Sequence, residues 1–370
     1  MTALVEQKEY ERIGSLDGLR SLAIILVLLG HYVVGGDANR GLRSIAYKLS
    51  MAGWVGVDLF FVLSGFLITG ILIRAREQPN RFRNFYARRT LRIFPLYYLA
   101  LTIGFVVVPL FSHCSRVLWR DQWPYWFYVA NFRVRDVISP CVNVGHFWSL
   151  AIEEQFYAIW PAIVLLASTR AARRACIAIV VLSITIRCLM VSMSVDWRPY
   201  YWTFARGDAL ACGSFIAFCF TSAEDRRRLT RWSLPVAVLS GAIVAALAWW
   251  NRLETIYRRD DSFTTLAGRV LVPLLLALFF TSLLVLALQW RTMSRVLDIA
   301  PFRFIARYSY GLYVWHMMLI PLVIAYTPTL SLWPRAAVGF AASFAAAIAS
   351  YHLFESPFLA LKRYFPQRHL

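Results

Sequence analysis

WVGVDLFFVLSGFLITGILI, from Trp54 to Ile73, carries a single charged residue, Asp58. As a helix this stretch rises about 30 Å, the thickness of a bilayer's hydrocarbon core, so it reads as a membrane span. The chain around it is of the same kind. Its 370 residues are 59% hydrophobic and 16% charged, and mean hydropathy is +0.56. A soluble domain is nearer half apolar and a quarter charged, which argues against a soluble multidomain enzyme, and the wealth of aromatic residues excludes disorder. The formal charge is +19. Because the arginines are spread among short loops, they read as anchors on the inner side of a membrane and not as a nucleic-acid surface.

Ten stretches have the length of a span: Leu16 to Val34, Trp54 to Ile73, Ile93 to Ser112, Phe147 to Ser168, Cys176 to Ser194, Phe204 to Thr221, Trp232 to Trp250, Val270 to Gln289, Phe304 to Ala325 and Leu332 to Phe354. The sixth is the weakest, interrupted by Arg206, Asp208 and Gly213. The first holds Arg20 and His31 within its apolar run and reads as a retained helix, not a cleaved signal peptide. Ten crossings return both termini to one side. The loops on that side carry about twice as many Lys and Arg as the opposite loops, which predicts cytoplasmic termini. The expectation is an all-α polytopic bundle of about ten helices in the inner (cytoplasmic) membrane, with residues 1–370 forming one integral-membrane domain. Cys114 and Cys141 share the long outer loop, where an oxidising compartment would allow a disulfide.

A charge inside a span is costly and marks a candidate site. Arg20 and His31 are eleven residues apart, hence on one helix face and separated by about 16 Å along the axis. Counted from the span ends, His31, Glu153 and Asp58 lie about 5, 9 and 6 Å below the outer surface, with Glu154 just deeper than Glu153. A carboxylate beside an imidazole would fix its tautomer and stabilise the imidazolium, as a general base requires. On the inner side seven arginines fall between Arg74 and Arg92. Retention of positive loops explains several; Arg89 and Arg92, three apart at the mouth of the third span, also suit a phosphate-bearing ligand. Tyr86 could stack on a nucleotide, or simply sit at the membrane interface. Arg206 and Asp208 most simply neutralise each other or their neighbours. His316, flanked by Tyr313 and Trp315, reads first as a packing residue.

Several blocks together resemble the acyltransferase-3 family of integral-membrane O-acyltransferases. They are SLDGLRSLAIILVLLGH (Ser15 to His31), GWVGVDLFFVLSGFLITG (Gly53 to Gly70), FYARRTLRIFPLYY (Phe85 to Tyr98), HFWSLAIEEQFY (His146 to Tyr157), RGDALACGSFIA (Arg206 to Ala217), SYGLYVWH (Ser309 to His316) and FESP (Phe354 to Pro357). The family's Arg, ten residues, then His falls on Arg20 and His31, its Arg-x-x-Arg on Arg89 and Arg92, and its conserved glutamate on Glu153. The resemblance implies a cytosolic acyl-CoA donor, acetyl-CoA by default, and an outward-facing carbohydrate or glycolipid hydroxyl as acceptor. A secondary metabolite is the other acceptor class, and succinyl or longer acyl groups remain open. Acyl-CoA is then a co-substrate, and no metal is expected. Some relatives append a secreted esterase-like domain. Here the chain stops soon after the last span, which leaves acceptor transfer to the membrane unit or a partner.

In the expected mechanism Arg89 and Arg92 hold coenzyme A phosphates. Arg20 binds donor phosphate or pairs with Asp17, His31 deprotonates the acceptor hydroxyl, and Glu153 orients His31. A covalent acyl-histidine relay is the variant. Ser64 could be a nucleophile but has no evident neighbouring base in the sequence, so it reads as structural. Asp58, Glu154, Arg206, Asp208 and His316 are supporting candidates. The rival class is a transporter or flippase for a lipid-linked glycan or acyl compound, since buried charges also line translocation paths.

Overall fold

A computed structural model describes residues 14–33, 52–111, 117–133, 138–139, 141–193, 201–251 and 267–366. All ten expected spans are helical. They are α1 (Gly14–Tyr32), α2 (Val55–Ala75), α3 (Arg81–Thr102), α4 (Phe147–Leu166) and α5 (Thr169–Ser192), then α6 (Thr203–Cys219), α7 (Ala223–Asn251), α8 (Val272–Gln289), α9 (Ala300–Tyr326) and α10 (Leu332–Ser350). Among the described residues nine helices are long and apolar enough to cross a bilayer. The exception is α6, whose 17 residues rise about 26 Å. One antiparallel pair of two-residue strands, Ile138–Ser139 with Val142–Asn143, sits in the loop before α4. Cys141 in that loop is disulfide-bonded; Cys114 lies outside the described residues.

Three helices begin well before apolarity alone indicated, α5 among them at Thr169 in place of Cys176. α3 starts at Arg81, and α7 at Ala223. Arginine is a good helix former, so the helix runs on past the point where hydrophobicity ends. What read as an arginine loop is therefore mostly the first turns of α3, preceded by Asn80 in the left-handed conformation (φ 56°). Arg89 and Arg92 consequently lie two turns or more inside a helix, not at its mouth.

The shortest helix is the most enclosed. Almost every residue of α6 from Ala205 to Cys219 is buried, between α2 and α5. Lipid tails provide no hydrophobic drive between helices, so close backbone approach has to hold them together. A Cβ on Gly65 would lie 2.0 Å from the Leu210 carbonyl oxygen, and one on Gly213 would lie 2.0 Å from that of Val62. Any larger residue at either position would force α2 and α6 apart. Two buried ion pairs cross the same seam: Arg206 to Asp58 at 2.6 Å and Arg187 to Asp208 at 2.7 Å. Arg206 and Asp208 thus neutralise neighbours on α2 and α5, not each other. By contrast, α5 and α7 turn Ile177, Val181, Leu189, Trp232 and Val238 outward, as helices facing lipid do.

Candidate active site

The arginines between Arg74 and Arg92 divide into separate tasks. Arg76 caps the end of α4, donating to the carbonyls of Val164 (2.8 Å) and Ala167 (3.1 Å) and to the Thr169 hydroxyl. Arg88 donates to the carbonyls of Lys362 and Phe365, each at 3.0 Å, and binds the segment after α10. Tyr86 is likewise committed, its hydroxyl donating to the Ala158 carbonyl at 2.7 Å. Arg81 donates to the Arg76 carbonyl, Arg83 lies over the Phe365 ring at 5.6 Å, and Arg74 is part-buried at the end of α2, which leaves Arg89 and Arg92. Among the described residues neither makes a hydrogen bond or an ion pair, and Arg89 lies over the rings of Phe85 and Tyr157 at 5.9 and 5.7 Å.

Both guanidiniums line a cavity of about 260 Å³ between α1, α2, α3, α4 and α9. Arg20 joins them there from α1, its guanidinium 3.4 Å from the Asp17 carboxylate on the preceding turn. Glu153 is the sole carboxylate among the lining residues, so three cations face one anion in a largely apolar enclosure. An enclosure with that charge balance favours an anionic ligand, and the guanidinium is the side chain best matched to phosphate oxygens.

The expected meeting of His31, Glu153 and Asp58 does not occur. Asp58 is held by Arg206. Glu153 accepts a hydrogen bond from the Ser64 hydroxyl at 2.7 Å, and it lies beside Tyr157 and within electrostatic reach of Arg89. His31 contacts no carboxylate among the described residues. Its Nδ1 donates to the Val27 carbonyl at 2.8 Å, and its ring packs on His316, centroids 5.0 Å apart. The depths are not equal: His146, at the start of α4, is the residue in line with His31, and Glu153, seven residues further along α4, lies about 10 Å deeper. α1 packs on α2 and α9, whereas the chief neighbour of α4 is α2, and Ser64 on α2 intercepts Glu153. Glu154, on the next position of α4, lies within electrostatic reach of Tyr97, Tyr98 and Tyr128, and its Oε1 is buried without a hydrogen-bond partner.

What surrounds His31 is more histidine. His316 is 4.8 Å from His146, ring to ring, so three imidazoles form a row. Each is fixed by a backbone carbonyl: His31 by Val27, His316 by Tyr313 (2.7 Å) and His146 by Val314 (3.2 Å). A carbonyl only accepts, so the bonded nitrogen carries the proton and each ring keeps one bare lone pair. The free nitrogens of His316 and His146 are buried without partners. His146 had no assigned role in the sequence. Its position at the start of α4, at the same end of the bundle as the end of α1, is the available signal. Among the described residues no set of three His, Cys, Asp or Glu is placed to hold a metal ion.

Tyr313 divides the arginine cavity from this row. Its hydroxyl bonds Ser149 and the His146 carbonyl (2.9 Å), and its ring lies 5.5 Å from His316. Tyr313 and Ser149 line the cavity; His31 does not.

Residues 13–352 match the family model described as an acyltransferase domain, acyltransferase-3. The chain belongs to that family. It is 30% identical to peptidoglycan O-acetyltransferase OatA of Listeria monocytogenes, over 93% of this chain and 55% of the relative. It is 29% identical to the putative peptidoglycan O-acetyltransferase YrhL of Bacillus subtilis, over 87% and 50%. The putative O-acetyltransferase SACOL0978 of Staphylococcus aureus is 26% identical over 86% and 52%. The chain spans about half the length of these relatives. No solved structure matches it. Family and helices together make this a multi-pass cell-membrane protein.

Proposed function

We propose that the chain is an O-acyltransferase that takes an acyl group, acetyl in the first instance, from cytosolic acyl-CoA and places it on a hydroxyl of a surface glycan or glycolipid. The observation that carries this reading is the cavity in which Arg20, Arg89 and Arg92 face a single carboxylate. It suits the phosphates of coenzyme A, and the relatives named as O-acetyltransferases of peptidoglycan support both the reaction and a carbohydrate acceptor.

In this reading residues 1–370 act as one membrane domain with cytoplasmic termini. Arg89 and Arg92, from the inner end, hold donor phosphate, and Arg20 contributes a third positive charge. The thioester points toward Tyr313, which swings aside when the acceptor arrives. His31, the one half-buried member of the histidine row, takes the acceptor's proton on the nitrogen that Val27 leaves free. His316, in ring contact with it, takes over the support first expected of Glu153. No metal enters this scheme, and the donor is a co-substrate, not a resident cofactor.

Purified protein in lipid nanodiscs, given acetyl-CoA and a glycan acceptor, is expected to release coenzyme A and acetylate the glycan. His31→Ala should lower turnover by about 100-fold or more, the usual scale for loss of a general base, with the folded yield unchanged. Full turnover in His31→Ala would remove His31 from the chemistry. Acceptor flux across the bilayer without acyl transfer would replace the enzyme by a carrier.

A further inference from the structure

Ser64 lies mid-helix on α2, one residue before the Gly65 that lets α6 approach. It was set aside as a nucleophile because no base adjoins it in sequence. The fold supplies one from another helix. The Ser64 hydroxyl donates to Glu153 Oε1 at 2.7 Å, across 89 positions of sequence. Tyr157 and Arg89 line the same cavity as Glu153, and the Arg89 charge is within electrostatic reach of its carboxylate. A hydroxyl hydrogen-bonded to a base is the arrangement of an activated nucleophile.

Location adds to this. Ser64, Glu153, Tyr157 and the three arginines all line the same cavity, while His31 does not. A donor whose phosphates sit on Arg89 and Arg92 therefore meets Ser64 on the near side of Tyr313, before reaching the histidine row.

We propose that Ser64 is acylated by the donor, with Glu153 as its base, so that transfer proceeds through an acyl-serine ester. This rests on the acyl-CoA reading of the cavity and deepens it. In the first half, the Ser64 proton passes to Glu153, Oγ bonds to the thioester carbonyl carbon, and the carbon–sulfur bond breaks. The departing thiolate takes the proton back from Glu153 and leaves as coenzyme A thiol. The cationic lining stabilises the oxyanion formed on the way. In the second half, the acceptor hydroxyl loses its proton to His31 and attacks the ester. The bond from Ser64 Oγ to the acyl carbon breaks, and Oγ recovers a proton from the His31 imidazolium. Both residues end as they began.

The test is rapid quenching of purified protein in nanodiscs with acetyl-CoA and no acceptor, followed by peptide mass spectrometry. The expected result is one acetyl group on the peptide containing Ser64, with a burst of coenzyme A equal to the protein present. Ser64→Ala, which removes one oxygen atom, should lose both burst and transfer while still binding coenzyme A. Ser64→Cys should accumulate a thioester cleaved by hydroxylamine. Transfer at the wild-type rate by Ser64→Ala, or an unmodified Ser64 in wild type that is consuming acetyl-CoA, would overturn the proposal and leave the acyltransferase reading intact. Wild type that never consumes acyl-CoA, in the presence or absence of acceptor, would instead defeat the underlying reading and this one with it.

Discussion

The bundle holds charge in two ways. At the seam of α2, α5 and α6, Asp58, Arg206, Arg187 and Asp208 form two ion pairs at 2.6 and 2.7 Å, and none of the four side chains is more than 3% exposed. Around the cavity, among the described residues, Arg89 and Arg92 stand without ion pairs, and Glu153 bonds a serine. Charges of the first kind are each neutralised by an opposite charge within the bundle. Among the described residues Arg89, half-buried, and Arg92, exposed, have no such partner, which leaves their guanidiniums available to an anionic ligand. The same residue types are thus glue in one place and a receptor in the other, and partner geometry separates the two.

The largest effect should come from breaking a pair. Asp58→Ala removes the carboxylate paired with the buried Arg206 and is expected to cost about 3–5 kcal/mol, the usual scale for breaking a buried ion pair. Thermal unfolding in detergent would read this as a large drop in Tm or loss of folded protein. Replacing both partners with apolar residues should recover much of the loss, and failure to recover would mean the pair does more than neutralise.

The unpaired arginines should behave in the opposite way. Arg89→Ala combined with Arg92→Ala removes no internal ion pair, so stability should change little. The KM for acyl-CoA should rise by about 10- to 100-fold, the worth of one or two charge-assisted hydrogen bonds of about 1.5–3 kcal/mol. An unchanged KM would return both residues to the task of membrane topology. The smallest effect belongs to charges in water. Arg303 and Asp298 pair at 2.7 Å with both side chains more than 40% exposed, and Asp298→Ala should shift stability by less than about 1 kcal/mol. A larger shift would mark that end of α9 as more than a solvated surface.

How far the sequence alone carried depends on whether a property is local. The ten helices were legible because twenty apolar residues in a row oblige a helix in lipid, where every backbone group must bond within its own segment. Even the weakness of the sixth stretch was legible, and it became the short, enclosed α6. Helix starts were less so: Arg81 and Ala223 lie outside the apolar signal, and helix propensity extends the chain beyond it. Depth was also less legible, since a count from the apolar edge of a span misplaces a helix along its axis: His146, seven residues before Glu153, is the one beside His316. Lateral position was not legible. His31, Glu153 and Asp58 were placed at one level, yet they face His316, Ser64 and Arg206 respectively.

Composition and spacing by themselves determined a helical membrane protein with arginines toward one end and a histidine toward the other. Which helices are neighbours was decided by packing across long separations, such as Gly65 against Leu210 and Gly213 against Val62. That choice packed α4 on α2 and α1 on α9, handing Glu153 to Ser64 and His31 to His316. The physical reason is that apolar periodicity shows which face a helix buries but not which helix it is buried against. In a bilayer, where one apolar face is as good as another to the lipid, only close-packed small residues and buried polar partners discriminate.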